Sequence, residues 1–173
     1  MSVLANQPSN RNFLVPQGFR FVLGRAPNVT YFCQAAGLPS IVLQSVTTPT
    51  PFTALQHPGD KIAFDPISLR FRINEDLDNY LEISNWMRAL GRPESFEEYQ
   101  ALVASNSLPQ GEVFGDGTLV ILTSNDNPNI EVRLENMFPT NLTMVQFDVT
   151  QQEIEYLEAE VTFNYTLFNI NIL

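Results

Sequence analysis

One histidine, one cysteine and nineteen acidic residues are the first groups to test for chemistry in this chain. A thiolate activated by an imidazole would need Cys33 and His57 to meet, because there is no other pair of these types. Cys33 lies among apolar neighbours in Phe32-Cys33-Gln34-Ala35-Ala36, where a thiol usually behaves as a small hydrophobe. His57 lies in the proline-rich stretch T-T-P-T-P-F-T-A-L-Q-H-P-G-D, and the two read as unrelated structural residues. One His and one Cys cannot build a zinc site at ligand spacing. Asn125-Asp126-Asn127 lacks the further ligands and closing Glu of a calcium loop, and Gly115-Asp116-Gly117 is too short to cradle a phosphate.

The carboxylates are the remaining route to catalysis. Asp76 and Asp78 precede an expected helix, where negative charge favours the exposed amides, and Glu97-Glu98 open a second for the same reason. Glu153, Glu155, Glu158 and Glu160 lead into the last strand. A hydrolase could use Glu158 and Glu160 as an acid–base pair, but no neighbouring residue type marks a pocket. A solvated acidic face accounts for them. The sequence therefore assigns no catalytic, cofactor-binding or metal-binding residue and reads as a non-enzyme that needs no cofactor.

The elements that would position such groups are mostly strands. In D-P-I-S-L-R-F-R-I-N-E, Ile67, Leu69, Phe71 and Ile73 alternate with Ser68, Arg70, Arg72 and Asn74, the period of two of a half-buried strand. Strands are expected at Phe19–Gly24, Val29–Ala36, Ile41–Thr47, Thr118–Thr123 and Ile130–Met137, with Met144–Val149 as a short extended piece. Phe138-Pro139-Thr140-Asn141 reads as a corner. The final strand alternates from Leu157 to Leu167, after which Phe168, Ile170 and Ile172 take the opposite parity. Such a slip signals a bulge, or the end of the sheet and a tail docked elsewhere. Pro49, Pro51 and Pro58 place residues 48–60 on an edge or in a projecting loop.

A change of period follows Asn74. Tyr80, Ile83, Met87 and Leu90 share a helical stripe bordered by Trp86, opened by Asp76 or Asp78 and stopped by Gly91 and Pro93. Ser95-Phe96-Glu97-Glu98 fits a capping box for a short helix, Ser95–Leu102. The organisation expected is an N-terminal arm at 1–16 and one β domain at 17–168. That domain contains a helical insert near 77–102 and a loop at 103–117, and a C-terminal tail follows at 169–173.

The 173 residues suit one core, and thirteen Phe with five Tyr favour β-structure. The net charge of -10, with Lys61 the single lysine, disfavours tight binding to nucleic acid or anionic lipid. A single cysteine excludes an internal disulfide. Met1–Val15 lacks the pattern of a signal peptide, and no apolar run approaches the roughly 20 residues of a membrane helix. A protein made and soluble in a cytoplasm is expected, without membrane binding.

The order of these features carries a resemblance. An early pair of strands with Phe32 to Ala35 leads to Gly37-Leu38-Pro39. Next come Pro58-Gly59-Asp60, Phe64-Asp65 and the strand Ile67–Ile73, which runs into Asn74-Glu75-Asp76 and a helix with Trp86. Val132-Arg133-Leu134-Glu135-Asn136-Met137-Phe138-Pro139-Thr140-Asn141-Leu142 then precedes the last strand. From about Phe19 to Tyr165 this series resembles the tail tube proteins of contractile-tailed bacteriophages, and more distantly the tube proteins of related injection machines.

The resemblance implies a mainly β (α+β) fold: an antiparallel β-sandwich or partial barrel with one flanking helix and a short second helix. It implies a structural virion protein made in the host bacterial cytoplasm and located in the tail. Copies would close into six-fold rings, with edge strands capped by neighbours. The rings would stack into or cap a tube through which DNA is ejected without specific binding. Partners would be itself and neighbouring tube, sheath or baseplate proteins. Arg70 and Arg72 would face either the lumen or the helix. The additions at both ends and the second helix equally suit a baseplate or tail-terminus ring protein instead of the repeating subunit. A monomeric β-sandwich that binds a ligand on its aromatic loops is the reading from another class. Subunit contacts are expected at Thr50, Phe52 and Leu55 of the proline-stiffened loop, where docking costs little entropy, and at Phe168, Ile170 and Ile172.

Overall fold

A computed structural model describes residues 12–91, 96–105, 113–150 and 156–173. Among the described residues, nine strands and three helices follow in the order β1 (Phe19–Leu23), α1 (Pro27–Tyr31), β2 (Cys33–Ala36), β3 (Ile41–Pro49), β4 (Ala54–Phe64), β5 (Ile67–Arg72), α2 (Asp78–Gly91), α3 (Phe96–Ser105), β6 (Gly115–Leu122), β7 (Pro128–Leu142), β8 (Glu158–Asn164) and β9 (Leu167–Ile172). Seven strands run in the order β1-β6-β7-β8-β5-β2, with β9 beside β7, while β3 and β4 form a separate two-stranded sheet. All pairings are antiparallel. The sheet is mainly β as expected and is not closed into a barrel.

The alternation in β5 is realised residue by residue. Ile67, Leu69 and Phe71 are buried while Ser68, Arg70 and Arg72 face outward. Across from them on β8, Phe163, Val161 and Ala159 are buried in register. Phe21, Leu23, Leu119, Val132 and Leu134 come from β1, β6 and β7 to complete the same core.

β7 holds the two halves of the core together. Residues 128–137 pair with β6, and residues 138–142 pair with β8. Its buried residues are even-numbered at Val132 and Leu134 and odd-numbered at Met137 and Pro139, so its inward face changes at Glu135-Asn136. Asn136 makes that change with φ 56°, a left-handed conformation that Asn tolerates better than most side chains. Its amide donates to Asp116 Oδ1 at 3.1 Å. β8 and β9 change parity at the same level, from Phe163 inward to Phe168 inward, and both lie along β7. The slip expected after Leu167 is therefore this switch at Tyr165-Thr166. Residues 169–172, expected in a tail, are instead strand β9, held to β7 from Glu135↔Leu167 to Ile130↔Ile172.

Several elements differ from expectation. The strand expected over Val29–Ala36 begins as helix α1, and only Cys33–Ala36 is extended. Pro27 at the first turn has φ preset for helix. The Thr30 hydroxyl then stitches the turn to β1, accepting from Leu23 N at 2.9 Å and donating to Ala26 O at 3.2 Å. Alternation had suggested a strand, but Val29 alone is buried there. Phe138–Asn141 does not end a strand. It continues β7 through a register shift between Pro139 and Asn141. Residues 143–148 are irregular instead of extended, and the loop expected at 103–117 is α3 up to Ser105 and β6 from Gly115. The capping Ser95 lies outside the described residues.

Helix α2 closes one side of the core. Its buried positions are Asn79, Ile83, Trp86 and Ala89, so Trp86 is in the middle of the inward stripe instead of at its border. Its ring lies 5.9 Å from that of Phe163, and its Nε1 donates to Val113 O at 3.1 Å. Asn79 is a buried polar group whose Nδ2 donates to Arg72 O at 2.6 Å and whose Oδ1 accepts from Tyr80 N at 2.9 Å, so its burial cost is offset.

Candidate subunit-contact surfaces

The structure keeps the two candidate nucleophilic partners apart. Cys33 is on β2 opposite Phe71, and His57 is on β4 opposite Val46 in the separate two-stranded sheet. Burial pushes the Cys33 thiol up from its ordinary value, partly offset by the backbone of Ala35, and a raised thiol is the reverse of what a nucleophile needs. Among the described residues no group of three His, Cys, Asp or Glu could hold a metal.

The expected acidic face is a mixed one. Glu158 lies 3.6 Å from Arg70 and 3.8 Å from Arg72. The Gln34 amide, oriented to suit both, bridges Glu158 and Arg72, and Arg72 stacks over Tyr156 at 5.2 Å. Arg70 and Arg72 are thus on an outward face and not beneath the helix. Half-exposed pairs of this kind contribute little to stability, but they leave the outer surface of β2, β5 and β8 polar and locally near neutral. Beside it, an open groove runs between the β2–β3 connection and β5, lined by Leu38, Pro66, Ser68 and Glu160.

The proline-rich stretch is the clearest feature outside the core. β3 and β4 pair from Ile41↔Phe64 to Pro49↔Ala54 and form an arm that, among the described residues, pairs with no other strand. The expectation of a loop is corrected here. Only residues 50–53 turn, and Pro58 is accommodated because the register shifts between Leu43↔Ile62 and Ser45↔Pro58. Gly59 lies in this bulge with its α-carbon against the Gln44 carbonyl, where a β-carbon would collide. Asp65 N donates to Ser40 O at 3.3 Å and Tyr165 Oη donates to Asp65 O at 2.7 Å, which fixes the root of the arm.

Apolar side chains cover this arm, and among the described residues no other element pairs with it or covers them. Ile41, Val42, Leu43, Val46, Leu55 and Ile62 are each about half exposed. At the tip Phe52 is 98% exposed. Its turn is held by Thr50 N to Thr53 O at 3.0 Å and Thr53 N to Thr50 Oγ1 at 3.2 Å. The tip residues Thr50, Phe52 and Leu55 are therefore together on one stiff projection. An isolated two-stranded ribbon is only marginally stable in water, so the arm is built for company.

The C-terminal candidates divide. Phe168 is buried, its ring 5.3 Å from Phe64 and 6.1 Å from Tyr165, and it anchors the root of the arm to the core. Ile170 and Ile172 continue the same side of β9 but are 52% and 85% exposed. The sequence did not single out Ile41, Leu43 and Ile62 as contact residues. The alternation that would have exposed them is interrupted by the bulge at Gly59.

Comparison with known proteins extends this picture. The family model described as phage tail tube protein matches residues 8–171. No curated protein sequence matches the chain. Among solved structures, the tube-terminating cap of the anti-feeding prophage is 16% identical with a TM-score of 0.62 over 100% of both chains. The baseplate of the same prophage, determined with six-fold symmetrisation, gives 14% identity and a TM-score of 0.64 over 94% of this chain and 97% of that one. The sheath–tube complex of the PVC extracellular contractile injection system in its extended state gives 16% and 0.55 over 100% and 99%. At such identities the likeness is one of fold.

Proposed function

The chain belongs to the phage tail tube protein family, a structural and not a catalytic family, and on that premise we propose that it forms a ring that stacks into or caps the tube of a tail. The ring is six-fold and its copies complete one another's sheets; the sheet completion is supported by β1, β2 and β9, each of which pairs with a single strand among the described residues. Its body, residues 17–168, is the wall, with residues 1–16 as an arm toward neighbours. Neighbouring tube, sheath or baseplate proteins are the partners along the axis. DNA passes through the lumen, and the net charge of -10 keeps it from adhering.

One observation carries this reading. The β3–β4 arm displays apolar groups on both faces with no cover of its own. Exposed apolar surface on this scale marks a protein–protein contact, and the tip residues Thr50, Phe52 and Leu55 with Ile170 and Ile172 are its proposed residues. A tube-like cap or baseplate ring, present once per tail, is favoured by the same arm and by the full-length likeness in fold to a cap. Negative-stain microscopy of the purified protein, with light scattering, tests both. Long polymers support the repeating tube and discrete rings the specialised ring, whereas a monomer at every concentration overturns the proposal in favour of a ligand-binding module.

A further inference from the structure

Helix α1 has five residues, far fewer than the roughly 12–15 that an isolated helix needs in water, and its N-cap, Ala26, has no side-chain acceptor to offer. The amides of its first turn are nevertheless accounted for. Pro27 has none, and that of Thr30 donates to Ala26 O at 3.1 Å. The amides of Asn28 and Val29 both donate to the carboxylate of Glu82 on α2, and Oε1 of that carboxylate also accepts from Asn28 Nδ2 at 2.7 Å. Glu82 thus does for α1 what an N-cap side chain does for other helices, but from a different element. That element is itself well seated, with Ile83 and Trp86 buried beside Glu82.

The stretch that α1 begins has a shallow footing. From residue 27 to residue 36, Val29 alone is buried. β2 is half-buried throughout and meets β5 at Cys33↔Phe71, Ala35↔Arg70 and Ala36↔Leu69, with a register shift inside so short a ladder. Beside that ladder the Thr30 hydroxyl accepts from Leu23 N, and Arg72 N donates to Phe32 O at 3.1 Å. β5 behind it is seated differently. Its Ile67, Leu69 and Phe71 are buried, and β8 pairs with it from Ile67↔Phe163 to Arg72↔Glu158.

Segments with few buried groups open locally at free energies well below that of the whole fold. We propose that residues 27–36 open as one unit while the body stays folded, and that the Glu82 carboxylate is the latch that holds them shut. They move together because α1 is too short to persist without its borrowed cap, and α1 leads β2 to its place on β5. Opening turns β5 into the edge of its sheet, since β2 ends the order β8-β5-β2. The claim concerns a single chain and holds whether or not copies close into a ring.

Amide hydrogen exchange tests it. In the parent, the amides of Thr30 and Phe32, bonded to Ala26 O and Asn28 O, are expected to exchange at least about ten-fold faster than that of Val161 in β8 after correction for intrinsic rates. They should keep that rate in low urea, because local opening exposes little surface. Exchange of all three at one rate that climbs with urea along the slope of global unfolding overturns the unit. Glu82→Ala is expected to speed Thr30 and Phe32 about five- to thirty-fold, as loss of a cap should. Glu82→Gln keeps the acceptor oxygen and should leave both close to the parent. No change in Glu82→Ala, or an equal change in the two variants, refutes the latch. Should Glu82→Ala fail to fold, Asn28→Ala takes its place. It removes one donor to the carboxylate from an exposed position and should speed Thr30 about two- to five-fold; an unchanged rate there refutes the latch as well.

Discussion

At the scale of single residues the core tolerates little. A β-carbon at Gly117 would strike the Met137 sulfur and come within 3.2 Å of Phe21, both buried. Gly117→Ala should therefore destabilise the fold by about 1–3 kcal/mol, the usual cost of overpacking, seen as a lower urea midpoint at unchanged slope. Glu82 makes the opposite prediction. Its Oε1 accepts from Asn28 Nδ2 at 2.7 Å while Oε2 is buried without a hydrogen-bond partner. Burial holds its carboxyl above the usual glutamate range, against the hydrogen bonds from Asn28 and Val29. A raised carboxyl means the folded state binds the proton more tightly, so Glu82 opposes folding when charged and ceases to as pH falls through its folded value. Glu82→Gln should be at least as stable as the parent near pH 7, with the gain fading toward about pH 4.5. A variant less stable near pH 7 would show that the charge of Glu82 on α2 matters more than its desolvation.

Elements show how far the sequence could be read. β5 was legible because both its faces follow one rule, apolar inward and polar outward. α2 was legible from its period, though Asn79 was not, since a buried amide has no signature apart from the carbonyl it serves at Arg72. α1 was missed because Val29 and Tyr31 mimic strand alternation and only tertiary contact reveals that one of them is buried. The arm was half legible: its prolines marked a projection, but the pairing of β3 with β4 depends on a bulge that breaks the register. The paired change of face in β7 and in β8–β9 was visible as a slip in one strand only. In the other it rests on Asn136, and that residue is testable. Asn136→Val should cost about 1–2 kcal/mol, because a β-branched side chain resists a left-handed backbone, whereas Asn136→Gly should be nearly neutral by thermal melting.

For the whole molecule, stability and association use different parts of the chain. The core gathers its side chains from β1, α1, β5–β9 and α2, and the arm contributes little more than Phe64 at its root. Ser40 and Asp65 are already hydrogen-bonded neighbours, so residues 41–64 can be replaced by a two-glycine link. The excised protein should melt within a few degrees of the parent, a shift worth about 1 kcal/mol or less, yet fail to form any higher assembly in sedimentation. A collapse of the fold would mean that the arm holds up the body. Among the contact residues expected from sequence, Thr50, Phe52 and Leu55 are at the tip of a two-stranded arm instead of in a loop, while Phe168 faces inward and fixes its root.

Because the arm leaves the body through one narrow root, its identity is modular. On the ring reading proposed above, contacts carried on a ribbon outside the core would let the protein acquire a new neighbour without a change to its interior. Transplanting residues 41–64 between two such rings should redirect each to the other's place.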